Sequence, residues 1–320
     1  MTANTTRNPL LALLASLLMP GLGQLYNGEA TKGLLLFLGL GATTPVSAWL
    51  ALHVTDHAIL PLIILFLIIA LAIYVYAIVD AYRSAKRIGD TYTLKALNQS
   101  YVYIIVFIVG YFFIFGGMLQ YTRKHLIESY YIPSKSMLPS VLQGDYIFAD
   151  KRVNCIGCKT QLKHGDLAIF VYPNNRNTLY IKRIIGLPGD DIDIKGMDIR
   201  VNTVPIQSVA ITEFSHAELN RLLATHIAWR EKCDRGAYAV IWNKDAKQEN
   251  ASFTVPNGQV FVMGDNRNAT TDSRRFGTVP LADIVGIAKQ VWFSRSSESG
   301  IRWWRMGVVI DPNYSPVFGN

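Results

Sequence analysis

Residues 101–121 read YVYIIVFIVGYFFIFGGMLQY, a run without one Asp, Glu, Lys, Arg or His. A helix needs about 20 apolar residues to cross about 30 Å of hydrocarbon, so this run is long enough to span a bilayer. Nothing like it recurs downstream. The run therefore divides the chain, with material suited to lipid before it and, in residues 122–320, a domain that must fold in water.

Upstream, residues 34–52 and 58–79 are equally free of charge, which predicts three spans (34–52, 58–79, 101–121) as a membrane anchor behind an N-terminal segment, 1–33, that is cytoplasmic or interfacial. A fourth apolar stretch, 10–19, stops at Pro20-Gly21 and is too short to cross unaided; it reads as interfacial or re-entrant rather than as a removable signal, since no small-residue cleavage site follows. The loop after the second span holds Arg83, Lys86, Arg87 and Lys95, whereas residues 53–57 have no Lys or Arg. Short loops rich in Lys and Arg stay cytoplasmic, which predicts that the third span delivers residues 122–320 to the external face. Chain averages agree with such a hybrid. Half of the residues are apolar and only 17% charged, mean hydropathy is +0.21 and the formal charge is +8. That balance excludes a disordered chain, and 24 Gly with 3 Cys exclude collagen-like and disulfide-scaffold chains.

Downstream, short runs rich in Val, Ile, Tyr and Phe are separated by Gly, Asp, Asn and Pro, which predicts strands at 146–149, 167–172, 179–185, 237–242, 259–263 and 285–293. Residues 212–232 alone look helical, with Phe214, Leu219, Leu222 and Leu223 at three- to four-residue spacing. The polar, weakly patterned stretch at about 204–253 reads as a non-catalytic insertion. The expected fold is thus a set of N-terminal transmembrane α-helices followed by a mainly β catalytic domain of antiparallel sheets, carrying a small inserted α+β subdomain.

Three motifs carry chemistry. In Ile132-Pro133-Ser134-Lys135-Ser136-Met137-Leu138-Pro139, two serines follow the last span in a loop stiffened by prolines; a serine becomes a nucleophile only when a base takes its proton, and the same loop could be a simple membrane-exit linker. In Tyr180-Ile181-Lys182-Arg183-Ile184-Ile185-Gly186-Leu187-Pro188-Gly189-Asp190, a lysine sits within an apolar strand. Alternation places Lys182 with Tyr180 and Ile184, so burial of that face would make its amine a neutral base, while exposure would make it an ordinary edge-strand lysine. In Gly264-Asp265-Asn266-Arg267-Asn268-Ala269-Thr270-Thr271-Asp272-Ser273-Arg274, a polar loop could position other groups, or equally be an Asx-rich surface loop or a weak calcium loop.

In this order, after a membrane anchor, the motifs resemble bacterial signal peptidase I, the Ser/Lys endopeptidase family that removes signal peptides. Its boxes match at Ser134–Pro139, Gly144-Asp145, Tyr180–Asp190 and Gly264–Arg267, and Trp292-Phe293-Ser294 with residues 302–307 resembles its C-terminal segment. The resemblance spans about residues 128–310 and implies a signal-peptidase/LexA-like β fold. It implies Ser136 as nucleophile, Lys182 as general base, Ser134 with Ser136 N–H as oxyanion hole, and Thr270 as the group that orients Lys182. It further implies a substrate cleft of Tyr130, Ile132, Met137, Val141, Ile147, Tyr180 and Ile181, ion pairs Arg183 with Asp265 and Asp272 with Arg274, and neither cofactor nor metal. The partners implied are preprotein signal peptides and an anionic phospholipid bilayer, with the Sec translocase as a further candidate and no nucleic acid. The expected location is the bacterial inner membrane, multi-pass, with the catalytic domain outside. Lys135 stands where the family more often has Gly, and Asn268-Ala269 where it more often has Asp-Asn.

Two other readings remain open: a LexA-type Ser/Lys self-cleaving protein, disfavoured by the spans and the lack of a helix-turn-helix, and a non-enzymatic polytopic membrane assembly factor. Arg302-Trp303-Trp304-Arg305 resembles an interfacial anchor with Trp303 and Trp304 at the membrane surface, although one indole could equally pack in the β core. Cys155 and Cys158 suggest a local disulfide; a zinc site would need His164 and Cys233 at poor spacing, and Cys233 reads as free. The segment Pro20–Gly28 resembles the hairpin entry of small TM2-type membrane modules.

Overall fold

The computed structural model describes residues 4–89, 92–94, 96–153, 161–247 and 250–312, and the chain divides into two compact units, Met1–Leu126 and Ile127–Asn320. Lys95, Cys155 and Cys158 lie outside the described residues.

The first unit is helical: α1 (Pro9–Leu18), α2 (Leu22–Tyr26), α3 (Ala30–His53), α4 (Ile59–Ile88) and α5 (Ser100–His125). The last three are long and apolar enough to cross a membrane, and α1, with 10 residues, is not. Asn8 caps α1, its side chain accepting from Leu10 and Leu11 N–H, with Pro9 at the first helical position where its missing N–H costs nothing. The reversal into α2 passes through Gly21 at φ +96°, where an added Cβ would meet Gly33 O at 2.2 Å, so only glycine fits. Each long helix outruns its charge-free stretch. In α4 the excess carries Asp80, Arg83, Lys86 and Arg87, and α5 passes through π-helical turns at Val109–Phe115 before its basic last turn. Buried amide donors at and just after α2 find acceptors on α4, as an apolar surrounding demands. Gln24 Nε2 donates to Ala77 O (2.7 Å) and Asp80 (3.1 Å), Asn27 Nδ2 to Ala81 O (2.8 Å), and Lys32 pairs with Asp80 at 2.5 Å. The TM2-like segment thereby supplies Gln24 and Asn27 as pins to α4.

The second unit is mainly antiparallel β. Its strands are β1 (Ile127–Tyr131), β2 (Asp145–Asp150), β3 (Leu167–Val171), β4 (Leu179–Gly186), β5 (Asp191–Lys195), β6 (Asp198–Val201), β7 (Val204–Pro205), β8 (Ser208–Ile211), β9 (His226–Cys233), β10 (Gly236–Asn243), β11 (Asn250–Thr254), β12 (Gln259–Met263), β13 (Val279–Pro280) and β14 (Ile284–Ser296). The large sheet runs β13-β12-β4-β3-β14-β2-β1, a second sheet runs β11-β5-β6-β7, and a third runs β8-β9-β10. β4 is thus an inner strand, its Lys182 opposite Ala168 of β3 and its Arg183 opposite Met263 of β12. This disposes of the edge-lysine reading. β1 ends the sheet and leads within five residues to Ser136.

The helix expected over 212–232 is corrected. Only Ala217–Asn220 is α-helical, continued by a 3-10 turn at Arg221–Ala224, and β9 follows. The three leucines all fall in that short helical piece, while Ala228 of β9 packs with Phe214, Ala239 and Ile241 and Trp229 packs on the opposite side with Tyr238 and Val240. A segment with apolar partners on both faces is stable as a strand. The polar stretch at 204–253 holds all of the third sheet, but β7 pairs β6 and β11 pairs β5, so its two ends belong to the second sheet.

Candidate active site

The nucleophile loop leaves β1 and is pinned by short backbone hydrogen bonds: Ile132 N–H to Asp145 O (2.9 Å), Gly144 N–H to Ile132 O (2.8 Å) and Leu138 N–H to Lys135 O (3.2 Å). Met137, Val141 and Ile147 are completely buried beneath it, with Ile132 and Ile181 in the same cluster. Of the residues expected to line the substrate cleft, Met137, Val141 and Ile147 are covered in the structure. Tyr130 packs at the margin of that cluster, whereas Tyr180 belongs to another, with Phe170, Ile184 and Val262.

Lys182 reaches Ser136 from the inner strand. Its Nζ lies 2.9 Å from Ser136 Oγ and 2.9 Å from Ile181 O, with the Tyr180 ring 5.2 Å away, and the side chain is only 4% exposed. Burial lowers its pKa to about 8, outweighing the attraction of Asp272 and Asp265, which favours the ammonium. Ser134 Oγ stands 3.1 Å from Ser136 Oγ. Ser136 N–H donates no hydrogen bond to the described residues, which leaves a donor beside the nucleophile.

The polar loop after β12 closes behind this pair. Arg183 forms a buried bidentate pair with Asp265 (2.7 and 2.5 Å), and its remaining donors reach Gly165 O and Ser140 Oγ. Asp272 accepts from Gly264 N–H (3.0 Å) and pairs with Arg274 at 2.8 Å. Thr270 departs from its expected role. Its Oγ1 is buried without a partner and packs against Gly264, where a Cβ would meet that oxygen at 2.4 Å and Ser136 O at 2.7 Å. The lysine amine has turned instead to the Ile181 carbonyl, so Thr270 makes no bond to it.

Two arginines near the C-terminus are also corrected. Arg305 is fully buried on Asp145 (2.5 Å), and Arg302 is held by Glu218 (2.8 Å) and Gln143 O (2.9 Å), so neither guanidinium is free for a headgroup. Trp304 stacks on His216 at 3.8 Å between ring centres, while Trp303 is 72% exposed. The Arg267–Glu231 pair (2.5 Å) and the Asp145–Arg305 pair were missed by the sequence reading, because their partners lie 36 and 160 residues apart and Arg267 and Glu231 both sit in polar surroundings in the sequence. His164 gives its two ring nitrogens to Asp190 (2.8 Å) and Asp234 (3.1 Å), and burial pushes the Cys233 thiol pKa up. Among the described residues no three His, Cys, Asp or Glu side chains gather as metal ligands.

A serine and a desolvated lysine in contact is the equipment of a hydrolase, and the family described as "Signal peptidase, peptidase S26" matches residues 101–293. The chain belongs to that family. Signal peptidase I of Buchnera aphidicola subsp. Baizongia pistaciae is 28% identical over 238 residues, covering 59% of this chain and 76% of the relative. Signal peptidase I of Rickettsia conorii is 30% identical over 210 residues, covering 57% and 76%. A crystal structure of a signal peptidase I from Enterococcus faecalis aligns at 25% identity over 40% of this chain and 97% of its own, with TM-score 0.28. Membership makes the chain a membrane-associated serine protease that cleaves signal peptides, and it sets aside the self-cleaving repressor and the non-enzymatic assembly factor.

Proposed function

We propose that this signal peptidase works through a Ser136–Lys182 dyad. The observation that carries the reading is the 2.9 Å approach of Ser136 Oγ to a Lys182 amine that is 4% exposed. Neutral Lys182 takes the Ser136 proton as Oγ bonds to the scissile carbonyl carbon. Ser134 Oγ and Ser136 N–H donate to the resulting oxyanion. The C–N bond breaks with the lysine proton passing to the leaving amine, which leaves an acyl-enzyme. Lys182 then deprotonates a water, the water oxygen bonds to the acyl carbon, and the departing Ser136 Oγ recovers a proton.

The peptide adds to β1, which among the described residues is the last strand of the large sheet and leads directly to the nucleophile, with Tyr130 and Ile132 alongside. Arg83, Lys86 and Arg87 hold the end of α4 in the cytoplasm, so three spans carry residues 127–320 to the external side of the inner membrane. Exposed Trp303 enters the headgroup region of an anionic bilayer, and the translocase is a partner by virtue of sharing the preprotein.

Preprotein processing in membranes tests the dyad: Ser136→Ala and Lys182→Ala should each abolish cleavage, and full activity in either would overturn it. Trp303→Ala should slow processing of membrane-inserted preprotein and leave cleavage of a soluble peptide unchanged; equal effects on both would remove the bilayer role.

A further inference from the structure

Asn266 is joined to the nucleophile loop by two hydrogen bonds. Its backbone N–H donates to Ser136 O at 3.1 Å, and its side-chain Nδ2 donates to Lys135 O at 3.2 Å. The residue is 4% exposed, and its Oδ1 is buried without a partner. A flipped amide would set Oδ1 against the Lys135 carbonyl, acceptor facing acceptor, so carbonyl chemistry dictates that Nδ2 points inward.

The peptide bond is planar, so Lys135 C=O and Ser136 N–H are two ends of one rigid unit that point in opposite directions. Whatever fixes the carbonyl aims the N–H. Lys135 O is held by Asn266 Nδ2 from one side and by Leu138 N–H from the other, and the next plane is held through Ser136 O. The Ser136 N–H at the far end of the first plane is a donor without a partner among the described residues. Asn266 itself is fixed by its neighbours: Asp265 is locked on Arg183 and Arg267 on Glu231, so the residue between them has little freedom to drift.

We infer that Asn266 is a positioning residue for the oxyanion hole, holding the Lys135–Ser136 peptide so that Ser136 N–H meets the charge that develops on the scissile carbonyl oxygen. This rests on the dyad reading. It also predicts a division of effects, because an oxyanion donor acts on the tetrahedral species and hardly at all on the bound ground state.

The test uses the full chain in detergent, a signal-peptide-derived peptide substrate, and the peptide aldehyde of the same acyl sequence, whose serine adduct carries the oxyanion. Asn266→Ala should lower kcat about 10- to 100-fold, less than or comparable to the 10²–10³ of deleting a donor outright. KM should change by less than about twofold, aldehyde affinity should fall by the same factor as kcat, and the thermal midpoint and the pH dependence should not move. Asn266→Asp, which keeps Oδ1 and lacks the Nδ2 donor, should repeat the kcat and aldehyde losses. A wild-type kcat, a loss carried by KM or the thermal midpoint, or an unchanged aldehyde affinity would each overturn the inference. Ser136→Ala separates the two levels, since cleavage by that variant would refute the dyad itself, whatever Asn266→Ala does.

Discussion

Lys182 is the residue at which stability and activity are opposed. Its native pKa of about 8 lies below the ordinary 10.5 because burial disfavours the ammonium. Between about pH 8 and 10.5 the unfolded chain therefore holds a proton that the native state has released, and stability rises with pH across that window. Below it both states are protonated and the burial penalty is fully present, about 3 kcal/mol at 1.36 kcal/mol per unit. Lys182→Met, close in length and without a charge, should be inactive yet more stable at pH 7 by up to about 3 kcal/mol. The gain should shrink as pH rises from 8 and be gone above 10.5. Denaturant unfolding of the two proteins at pH 7 and pH 10.5 checks this, and a variant less stable than wild type at pH 7 would show that the lysine is adequately solvated or paired. The same pKa requires kcat/KM of the wild type to climb with pH through about 8, since only the neutral amine accepts the serine proton.

At the scale of elements, the C-terminal segment acts as a clasp on the start of β2. Asp145, the first residue of that strand, is fully buried and receives Arg305 (2.5 Å), Ser294 Oγ (2.6 Å) and Leu142 N–H (2.9 Å). Arg305→Leu would leave the carboxylate buried with two neutral donors, and removal of one partner of such a pair costs about 3–5 kcal/mol. A fall of that size in unfolding free energy is expected, with partial recovery in Arg305→Leu/Asp145→Asn, where no charge remains. A single variant as stable as wild type would mean that the clasp carries no load. This pair also shows what sequence can reveal. Strands such as Gln259–Met263 and Gly236–Asn243 were legible because apolar runs between turn residues mark them, and the Ser and Lys stood out in short motifs. The guanidiniums of Arg302 and Arg305 were misread as headgroup ligands, since an Arg-Trp-Trp-Arg composition looks the same whether its arginines meet phosphates or a buried Asp145 some 160 residues away. β9 was misread for a related reason: Leu219, Leu222 and Leu223 imposed a helical period that ends at Ala224, and what turns the next residues into a strand is pairing with Gly236–Asn243. Thr270 illustrates a third limit, because a hydroxyl at the right position in a motif says nothing about which neighbour it meets.

At the scale of the whole chain, charge is divided unevenly. Residues 1–121 hold 6 of the 31 basic and 4 of the 23 acidic residues, and three of those six, Arg83, Lys86 and Arg87, lie within one turn and a half at the end of α4. No Lys or Arg occupies the short connection between α3 and α4. The asymmetry is the kind that sets orientation, because basic residues near a span resist transfer across the membrane whereas long domains are carried over largely regardless of their charge. Alkaline phosphatase, which folds only outside the cytoplasm, should therefore be active when fused after Thr55, inactive when fused after Asn98, and active when fused after Pro312, with a cytoplasmic reporter giving the reverse pattern. Replacing Arg83, Lys86 and Arg87 by Gln while placing Lys at 54, 55 and 56 should raise phosphatase activity at the Asn98 fusion. Activity at Asn98 in the unaltered chain would overturn the orientation of α4, and inactivity at both Asn98 and Pro312 would mean that α5 does not cross and that Ser136 faces the cytoplasm.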